Sequence, residues 1–396
     1  MANKHFDIII LGAGLIGAAL ALRLARDSEA NGKSLKIAVV ERSPQIQHNS
    51  MPNQRVIALG KIATDTLKQA GVFEQLGSSF AYPYKRMFVW DENSNGELFF
   101  EAEQHDLSRL GYMVDSLQCT MLLQQQLQAE PQITAMFESQ VLAFDRDEAA
   151  QSAQLSLSDQ RLSAPLVIAA DGANSWLRKQ VKIFANHRSY DQRGIVAKIE
   201  TQESHQDTAW QRFLSTGPVA FLPVEQNQSS IVWSVDSEQA DELMALDDKD
   251  FESRLSEAFD YKLGRVSLLT KRLSFPLISQ QADSYFVRNV ALVGDAAHSI
   301  HPLAGQGANL GFKDIDALAS IVCDPSVTSL ADPALLQQYQ RNRKTDNQQT
   351  DMMMTGLLKA YQGEQTLWLS LRGIGMNFVN RSALLKSLLV KQAVGY

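Results

Sequence analysis

Residues 290–314 read Val-Ala-Leu-Val-Gly-Asp-Ala-Ala-His-Ser-Ile-His-Pro-Leu-Ala-Gly-Gln-Gly-Ala-Asn-Leu-Gly-Phe-Lys-Asp. A short apolar, β-branched run ends in Gly294-Asp295, and a glycine-rich turn and a helix start follow. On its own the stretch describes a strand–loop–helix unit of the kind that binds anions. Two further segments fix its meaning: Gly12-Ala13-Gly14-Leu15-Ile16-Gly17, and Asp171-Gly172-Ala173-Asn174-Ser175-Trp176-Leu177-Arg178. Each follows an apolar run. Three separated motifs in this order read as one site assembled from distant parts of the chain.

The first motif reads as a dinucleotide site. Residues 6–11 (Phe-Asp-Ile-Ile-Ile-Leu) form the near-continuous apolar run of a strand buried on both faces of a parallel sheet. Gly12 permits the tight turn, Gly14 lets a pyrophosphate approach the backbone, and Gly17 lets helix and strand pack closely. The helix predicted over 18–26 then turns its positive end to the phosphates. A second strand, 35–40, ends at Glu41-Arg42, and an acid there accepts hydrogen bonds from a ribose 2′-OH. The bland alternative is a glycine turn with no ligand. Strand before, helix after and acid at the next strand end favour the dinucleotide, without separating FAD from NAD.

The bulk numbers narrow the class. A chain of 396 residues has room for two or three domains and a sizeable core. Its net charge of -7, with no basic tract interleaved with aromatics, argues against nucleic-acid binding. The two cysteines, Cys119 and Cys323, are too few for a disulfide framework or a cysteine metal site, and suit a reducing compartment. No metal site is expected. The first strand starts at once, so no secretory signal is read, and no apolar run reaches the ~18–20 residues of a membrane span. The expected location is cytoplasmic.

The other two motifs choose the cofactor. Apolar runs at 166–170 and 290–293 lead into Asp171-Gly172 and Gly294-Asp295. The order glycine finger, Asp-Gly, Gly-Asp resembles the single-component flavoprotein aromatic hydroxylases typified by p-hydroxybenzoate hydroxylase. His301-Pro302-Leu303-Ala304-Gly305-Gln306-Gly307-Ala308-Asn309-Leu310-Gly311, closing at Asp314, is similar to the signature of the aerobic ubiquinone-biosynthesis hydroxylases. The likeness continues at 89–91, 111–115, 169–178, 220–223 and 230–234. Within that family, stretches such as 230–234 and 251–263 point to ring C5 of 2-octaprenylphenol, with C6 of demethoxy-ubiquinol a near second.

What the resemblance implies is specific. FAD is the cofactor, O₂ the co-substrate and NAD(P)H the transient reductant, with oxygen delivered from a flavin C4a-hydroperoxide because no side chain supplies an electrophilic oxygen. Asp295 would reach the ribityl and pyrophosphate region, Asp171 would serve FAD and the passing nicotinamide, and Arg55 would stand near the flavin. With Gly12, Gly14, Gly17, Glu41, Arg42, Gly294, Gly307, Ala308 and Asn309, these are the candidate cofactor-binding residues. Pro302, Gly305, Gln306 and Gly307 would form the loop at the flavin face, opening a helix whose positive end favours anionic reduced flavin. His301 would order that loop. Direct proton transfer by His298 or His301 is the minority reading, because a histidine in a packed turn is more often structural. Relatives carry an arginine early in the helix starting near Ser116, where this chain has Leu117-Gln118-Cys119, so no flavin contact is carried over there.

The expected architecture is α/β plus α+β: a Rossmann-like FAD-binding domain like that of p-hydroxybenzoate hydroxylase (1–77, 107–186 and 276–350), an antiparallel-sheet substrate domain (78–106 and 187–275) and a helical carboxyl-terminal segment (351–396). Met87, Val89, Trp90, Phe213, Phe221, Pro223 and Trp233 are candidate pocket residues, with core packing at least as good a reading of each. The tail, 365–396, carries Arg372, Arg381, Lys386 and Lys391 and no acid. It reads equally as a basic amphipathic helix on a membrane or partner, or as a packed terminal helix. The resemblance adds a polyprenylated phenol or quinol substrate, association with a ubiquinone-biosynthesis complex and peripheral contact with the inner membrane. A hydroxylase of small soluble phenols and a flavin-binding assembly factor with little turnover are the other readings.

Overall fold

The computed structural model describes residues 2–47, 55–301, 305–361, 373, 375–380, 382, 385–387 and 389–390. Its central element is a six-stranded sheet in the order Phe286–Val287, Val290–Leu292, Leu166–Ala169, Ile8–Leu11, Ile37–Val40, Ile133–Met136. All pairs are parallel except the first, which is antiparallel. Ile8–Leu11, Ile37–Val40 and Leu166–Ala169 are buried at every position, which is why their sequences are apolar without alternation. The helices Leu15–Ala30, Ser116–Ala129 and Gln306–Val322 pack against one another in the same core. Leu15–Ala30 is so rich in alanine because it is buried between two neighbours.

Parallel pairing has one consequence for function: the five parallel strands end at the same edge. The glycine turn follows Leu11, Glu41 follows Val40, Ala170-Asp171 follows Ala169, and Val293–Asp295 follows Leu292. Backbone bonds staple these turns side by side: Gly12 N–H to Val40 O at 2.8 Å, Ala170 N–H to Leu11 O at 2.8 Å and Val293 N–H to Ala169 O at 3.0 Å. Ligands of open α/β sheets bind at this carboxyl edge. Motifs far apart in sequence therefore meet.

The second large element is a nine-stranded, mostly antiparallel sheet in which Leu273–Ala282, Ala185–Thr201, Gln228–Asp236, Gly217–Glu225, Thr208–Leu214, Arg86–Asp91 and Glu97–Glu101 are successive neighbours. Ala185–Thr201 and Leu273–Ala282 run through the boundaries expected at 186/187 and 275/276, so both boundaries fall inside strands of the nine-stranded sheet. A three-stranded sheet (Val56–Leu59, Gly111–Asp115, Ala81–Tyr84) lies between them in the chain. A further four-stranded sheet joins Ala2–His5 to an antiparallel meander over 143–164. Its polar, alternating strands carried no signal that the sequence reading used.

The described part of the tail lies along the edge strand Glu97–Glu101. Glu97 N–H donates to Asn377 Oδ1 at 3.4 Å and Phe99 N–H to Asn380 Oδ1 at 3.2 Å. Two edge amides on one side of a strand thus meet two side chains one helical turn apart, which covers an edge that would otherwise invite another strand. Lys386 is buried, with Nζ over the Phe100 ring and 3.4 Å from Gln104 Oε1. It faces protein, not solvent. Arg372, Arg381 and Lys391 lie outside the described residues. Among the described residues no helix is long and apolar enough to cross a membrane.

Candidate functional site

A cavity of about 840 Å³ lies against the carboxyl edge of the parallel sheet and the facing side of the nine-stranded sheet. One wall is made by Gly14, by Gly172–Asn174, by Asp295 and by Gly305, Gly307 and Ala308. All three motifs contribute to it. Arg55 joins this wall, as do Ser116, Leu117 and Thr120 from the helix to which no flavin contact was assigned.

The glycines differ in what they permit. Gly12 has φ +102°, and a Cβ there would stand 2.4 Å from Ala170 O. A Cβ on Gly17 would stand 2.1 Å from Gly12 O, so helix and turn touch through the missing side chain. Nothing lies within 4 Å of the Cβ position of Gly14, which opens on the cavity. The helices Leu15–Ala30 and Gln306–Val322 start at Gly14 and Gly305 without a side-chain cap, leaving their first amides to a ligand or solvent.

Glu41 sits at its strand end, but its carboxylate accepts from Ala13 N–H at 2.8 Å and from Ser43 N–H at 2.9 Å. Arg42 is exposed and off the cavity. Asp171 Oδ2 accepts from Trp176 N–H at 2.7 Å and Leu177 N–H at 3.2 Å, opening the helix Trp176–Gln180. Its Oδ1 is buried with no hydrogen-bond partner among the described residues. Arg178 from the same motif is buried and ties the segments together, donating to Ala296 O and Ala173 O, both at 2.8 Å.

Behind the Gly294 turn lies a group of charges that sequence reasoning missed. Asp314 is fully buried; its Oδ2 accepts from Gly294 N–H at 2.9 Å and lies 2.5 Å from His298 Nε2, while Oδ1 accepts from Arg343 Nε at 2.9 Å. Desolvation alone would raise its pKa, but His298 and Arg343 hold the carboxyl below its ordinary value. Arg343 comes from the long helix Pro333–Tyr361, which has no motif to announce it. Asp295, next to the pinned Gly294, points into the cavity. The protein around it pushes its carboxyl up, opposed by the charges of His298 and Arg55.

The remaining candidates separate. Gly305 (φ +64°) and Gly307 line the cavity. Pro302 lies outside the described residues, as does the side chain of Gln306. Asn309 is turned away: Gly60 N–H donates to its Oδ1 at 2.9 Å, and its Nδ2 donates to Ala58 O at 2.8 Å and Gly305 O at 3.4 Å. Its side chain clasps the strand Val56–Leu59, so no group of it is left for a cofactor. His298 is engaged by Asp314 and off the cavity. His301 is fully buried and also off the cavity, edge-on to Tyr190 at 4.9 Å, with neither ring nitrogen bonded to a partner among the described residues. Burial pushes its pKa down to about 4.

The opposite wall is a sheet face of small and aliphatic side chains, among them Val196, Ala209, Ala220, Leu222 and Val232. Only Met87 of the aromatic and aliphatic candidates lines it. Trp90, Phe221 and Trp233 point to the other face, into a core with Phe251 and Phe259, and Val89 and Phe213 pack with Tyr361. The reason is strand periodicity: Ala220 and Leu222 flank Phe221, Val232 and Ser234 flank Trp233, and alternate residues take opposite faces. Among the described residues of the lining, Arg55, His187 and Asp295 are the only Arg, Lys, His, Asp or Glu side chains. Tyr84 also lines it, and burial pushes its phenol up to about 12. Among the described residues no His, Cys, Asp and Glu group suits a metal ion.

An FAD binding domain family matches residues 5–352. The chain is 32% identical over its whole length to the 3-demethoxyubiquinol 3-hydroxylase of Escherichia coli, all of which is covered. It is also 32% identical to the ubiquinone biosynthesis monooxygenase COQ6 of Drosophila melanogaster (100% of this chain, 91% of that one) and to the ubiquinone hydroxylase UbiL of Rhodospirillum rubrum (100% and 90%). The chain belongs to the FAD-dependent hydroxylases of ubiquinone biosynthesis. Solved structures agree on the fold: PqsL of Pseudomonas aeruginosa, a probable FAD-dependent monooxygenase, superposes with TM-score 0.76 at 23% identity (95% of this chain, 100% of that one). The p-nitrophenol 4-monooxygenase of Pseudomonas putida does so with 0.76 at 14% identity (100% and 99%). This hydroxylase is a flavoprotein monooxygenase; its class works with FAD, O₂ and NAD(P)H.

Proposed function

We propose that this hydroxylase inserts oxygen into the ring of a polyprenylated phenol or quinol, with C5 of 2-octaprenylphenol the favoured position. One observation carries the reading: the cavity joins the three motif turns to a sheet floor that is mostly aliphatic and, among the described residues, carries no Lys, Arg, Asp or Glu. A benzoate or other anionic aromatic would find no Lys or Arg on that floor among the described residues. A neutral ring bearing a long hydrocarbon chain suits it.

FAD fits the residues present. The open Gly14 turn and the uncapped start of Leu15–Ala30 would take the pyrophosphate. The orphaned Asp171 Oδ1 and the accessible Asp295 carboxylate offer acceptors for cofactor or nicotinamide hydroxyls. Glu41 would act chiefly through Ala13, holding the turn in shape. The backbone of 305–308 would place amide donors and a helix's positive end beside the flavin. When bound, FAD supplies the electron acceptance from NAD(P)H and the activation of O₂ that side chains lack. The protein's own part is to orient the ring, exclude water and hold charge.

A second reading has its own support. The full-length likeness to a 3-demethoxyubiquinol 3-hydroxylase favours the demethoxy-ubiquinol position instead. Lipid extraction and mass spectrometry of aerobic cells lacking this protein separate the two. Accumulated octaprenylphenol-type precursor is the expected result, and demethoxy-ubiquinone would move the assignment. Unchanged ubiquinone, with redundant hydroxylases also removed, would overturn the pathway reading.

A further inference from the structure

Strand pairing arranges the cavity floor in rows that run across the nine-stranded sheet. Val89 pairs with Gln211, Gln211 with Ala220, Ala220 with Val232, and Val232 with Val196. Residues paired in this way share a face. Four members of the row are aliphatic and one is an amide; Gln211, Ala220, Val232 and Val196 line the cavity, while Val89 packs with Tyr361. The rows on either side place Ala209 and Phe213 next to Gln211 along its own strand, both on the same face by the two-residue period. Gln211 is therefore the one amide of its row, whereas Gln280, the other buried glutamine on the lining, donates to Asp295 O at 3.2 Å.

Its hydrogen bonding is unspent. Gln211 is 6% exposed and lines the cavity, and its side chain has no hydrogen-bond partner among the described residues. Gln118 and Gln192, comparably buried, differ from it: Gln192 donates to Thr216 O at 2.8 Å, and Gln118 does not line the cavity. The amide atoms of Gln211 are not sealed from solvent, since neither is among the buried side-chain atoms left without a partner; they open onto the cavity. At this position an aliphatic residue would match every cross-strand neighbour, so packing does not account for the glutamine.

Resting on the reading of the site as a phenol hydroxylase, we propose that Gln211 is the ring-positioning residue, hydrogen-bonded to the phenolic oxygen of the substrate. An amide suits a phenol in both directions, because Oε1 accepts from the hydroxyl and Nε2 donates to its lone pairs. It does so without charge, in keeping with a floor on which no Lys, Arg, Asp or Glu lies among the described residues. The hydrocarbon chain then lies on the aliphatic members of the rows, and the ring is fixed by one polar contact at the sheet centre. Gln211 is thus a specificity determinant: it distinguishes an oxygenated ring from a plain one on a sheet face that is otherwise mostly aliphatic.

The test compares two probes on FAD-loaded protein: 2-prenylphenol, and prenylbenzene, which lacks only the hydroxyl. Dissociation constants are read from the change in flavin absorbance on titration, and products by mass spectrometry. Wild type is expected to bind the phenol at least about tenfold more tightly, since a site built to bond a hydroxyl rejects the analogue without it. Gln211→Met should reduce that ratio about tenfold while FAD affinity and melting temperature stay unchanged. Gln211→Leu serves if the methionine variant does not load FAD. A merely structural glutamine would leave the phenol-to-benzene ratio as it was, and that result would overturn the proposal. If wild type shows no preference, the proposal also falls, and the product analysis then decides the reading beneath it. Hydroxylated prenylphenol would leave that reading standing, and its absence would remove both.

Discussion

At the scale of single residues, the three glycines of the first motif make a graded test of what each absent side chain does. Gly12→Ala and Gly17→Ala each drive a Cβ into backbone, at 2.4 Å and 2.1 Å respectively. Each is expected to lower stability by about 1–3 kcal/mol, the usual cost of overpacking, in urea titrations followed by circular dichroism. Gly14→Ala meets nothing and should leave the urea midpoint unchanged, yet reduce bound FAD, because its Cβ opens onto the cavity. Loss of stability in Gly14→Ala equal to that in Gly17→Ala would contradict this division. His301 gives a prediction in pH. Its pKa is about 4 in the folded protein against an ordinary 6.5, caused by burial, so the unfolded chain binds the extra proton between those values. Stability is then independent of this group above pH 6.5 and falls as pH drops toward 4, by on the order of 3 kcal/mol in full. His301→Leu should flatten that part of the acid slope, leaving the share of His205, whose pKa burial also lowers. An unchanged slope would show that His301 is not buried neutral.

At the scale of elements, what was legible was whatever parallel strands impose. Residues 6–11, 35–40, 166–170 and 290–293 lack alternation because both faces are covered, and each was located to within about two residues. Convergence of the motifs then follows from direction alone. What could not be read was the support behind the turns. Arg343 lies 29 residues from Asp314 on a helix whose sequence looks like any polar helix, and only folding makes it the partner of a buried carboxylate. Arg343→Met should cost about 3–5 kcal/mol, because it strands the charge of Asp314 away from water. The double variant Arg343→Met with Asp314→Asn should recover part of that loss in a double-mutant cycle. Recovery stops short of complete because Asp314 also holds Gly294 N–H and His298. Additive losses would mean the two act independently. The tail was left open between membrane and core, and its described residues favour the core: Asn377 and Asn380 take edge-strand amides. Replacing both by alanine should speed hydrogen exchange at Glu97 and Phe99 without touching exchange in Val290–Leu292.

At the scale of the whole molecule, function depends on two sheets of opposite character meeting at one cavity. The parallel sheet is covered on both faces and presents its edge; the large sheet is mostly antiparallel and presents one face. Of the aromatic strand residues named as candidates for the pocket, with core packing at least as good a reading, Trp90, Phe213, Phe221 and Trp233 lie off the lining, and the reason is physical. A pocket needs room, so the strand face turned to it carries Ala209, Ala220 and Ser234, while the bulky alternates Phe221 and Trp233 fill the core behind. Neighbouring residues should therefore fail in opposite ways. Phe221 is fully buried and its ring lies 3.5 Å from that of Phe259, so Phe221→Ala leaves a void and should cost about 3–5 kcal/mol in the urea midpoint. Ala220→Leu grows a side chain into the cavity, where there is space, and should keep the wild-type midpoint and FAD content. It should nonetheless weaken binding of a prenylated phenol by at least about tenfold, because the added atoms occupy volume the ring and chain would use. If Ala220→Leu unfolds the protein, or binds the phenol as wild type does, the face assigned to the substrate is the wrong one. The pair reads out sheet register through function, since a shift of one residue in Gly217–Glu225 would exchange the two outcomes.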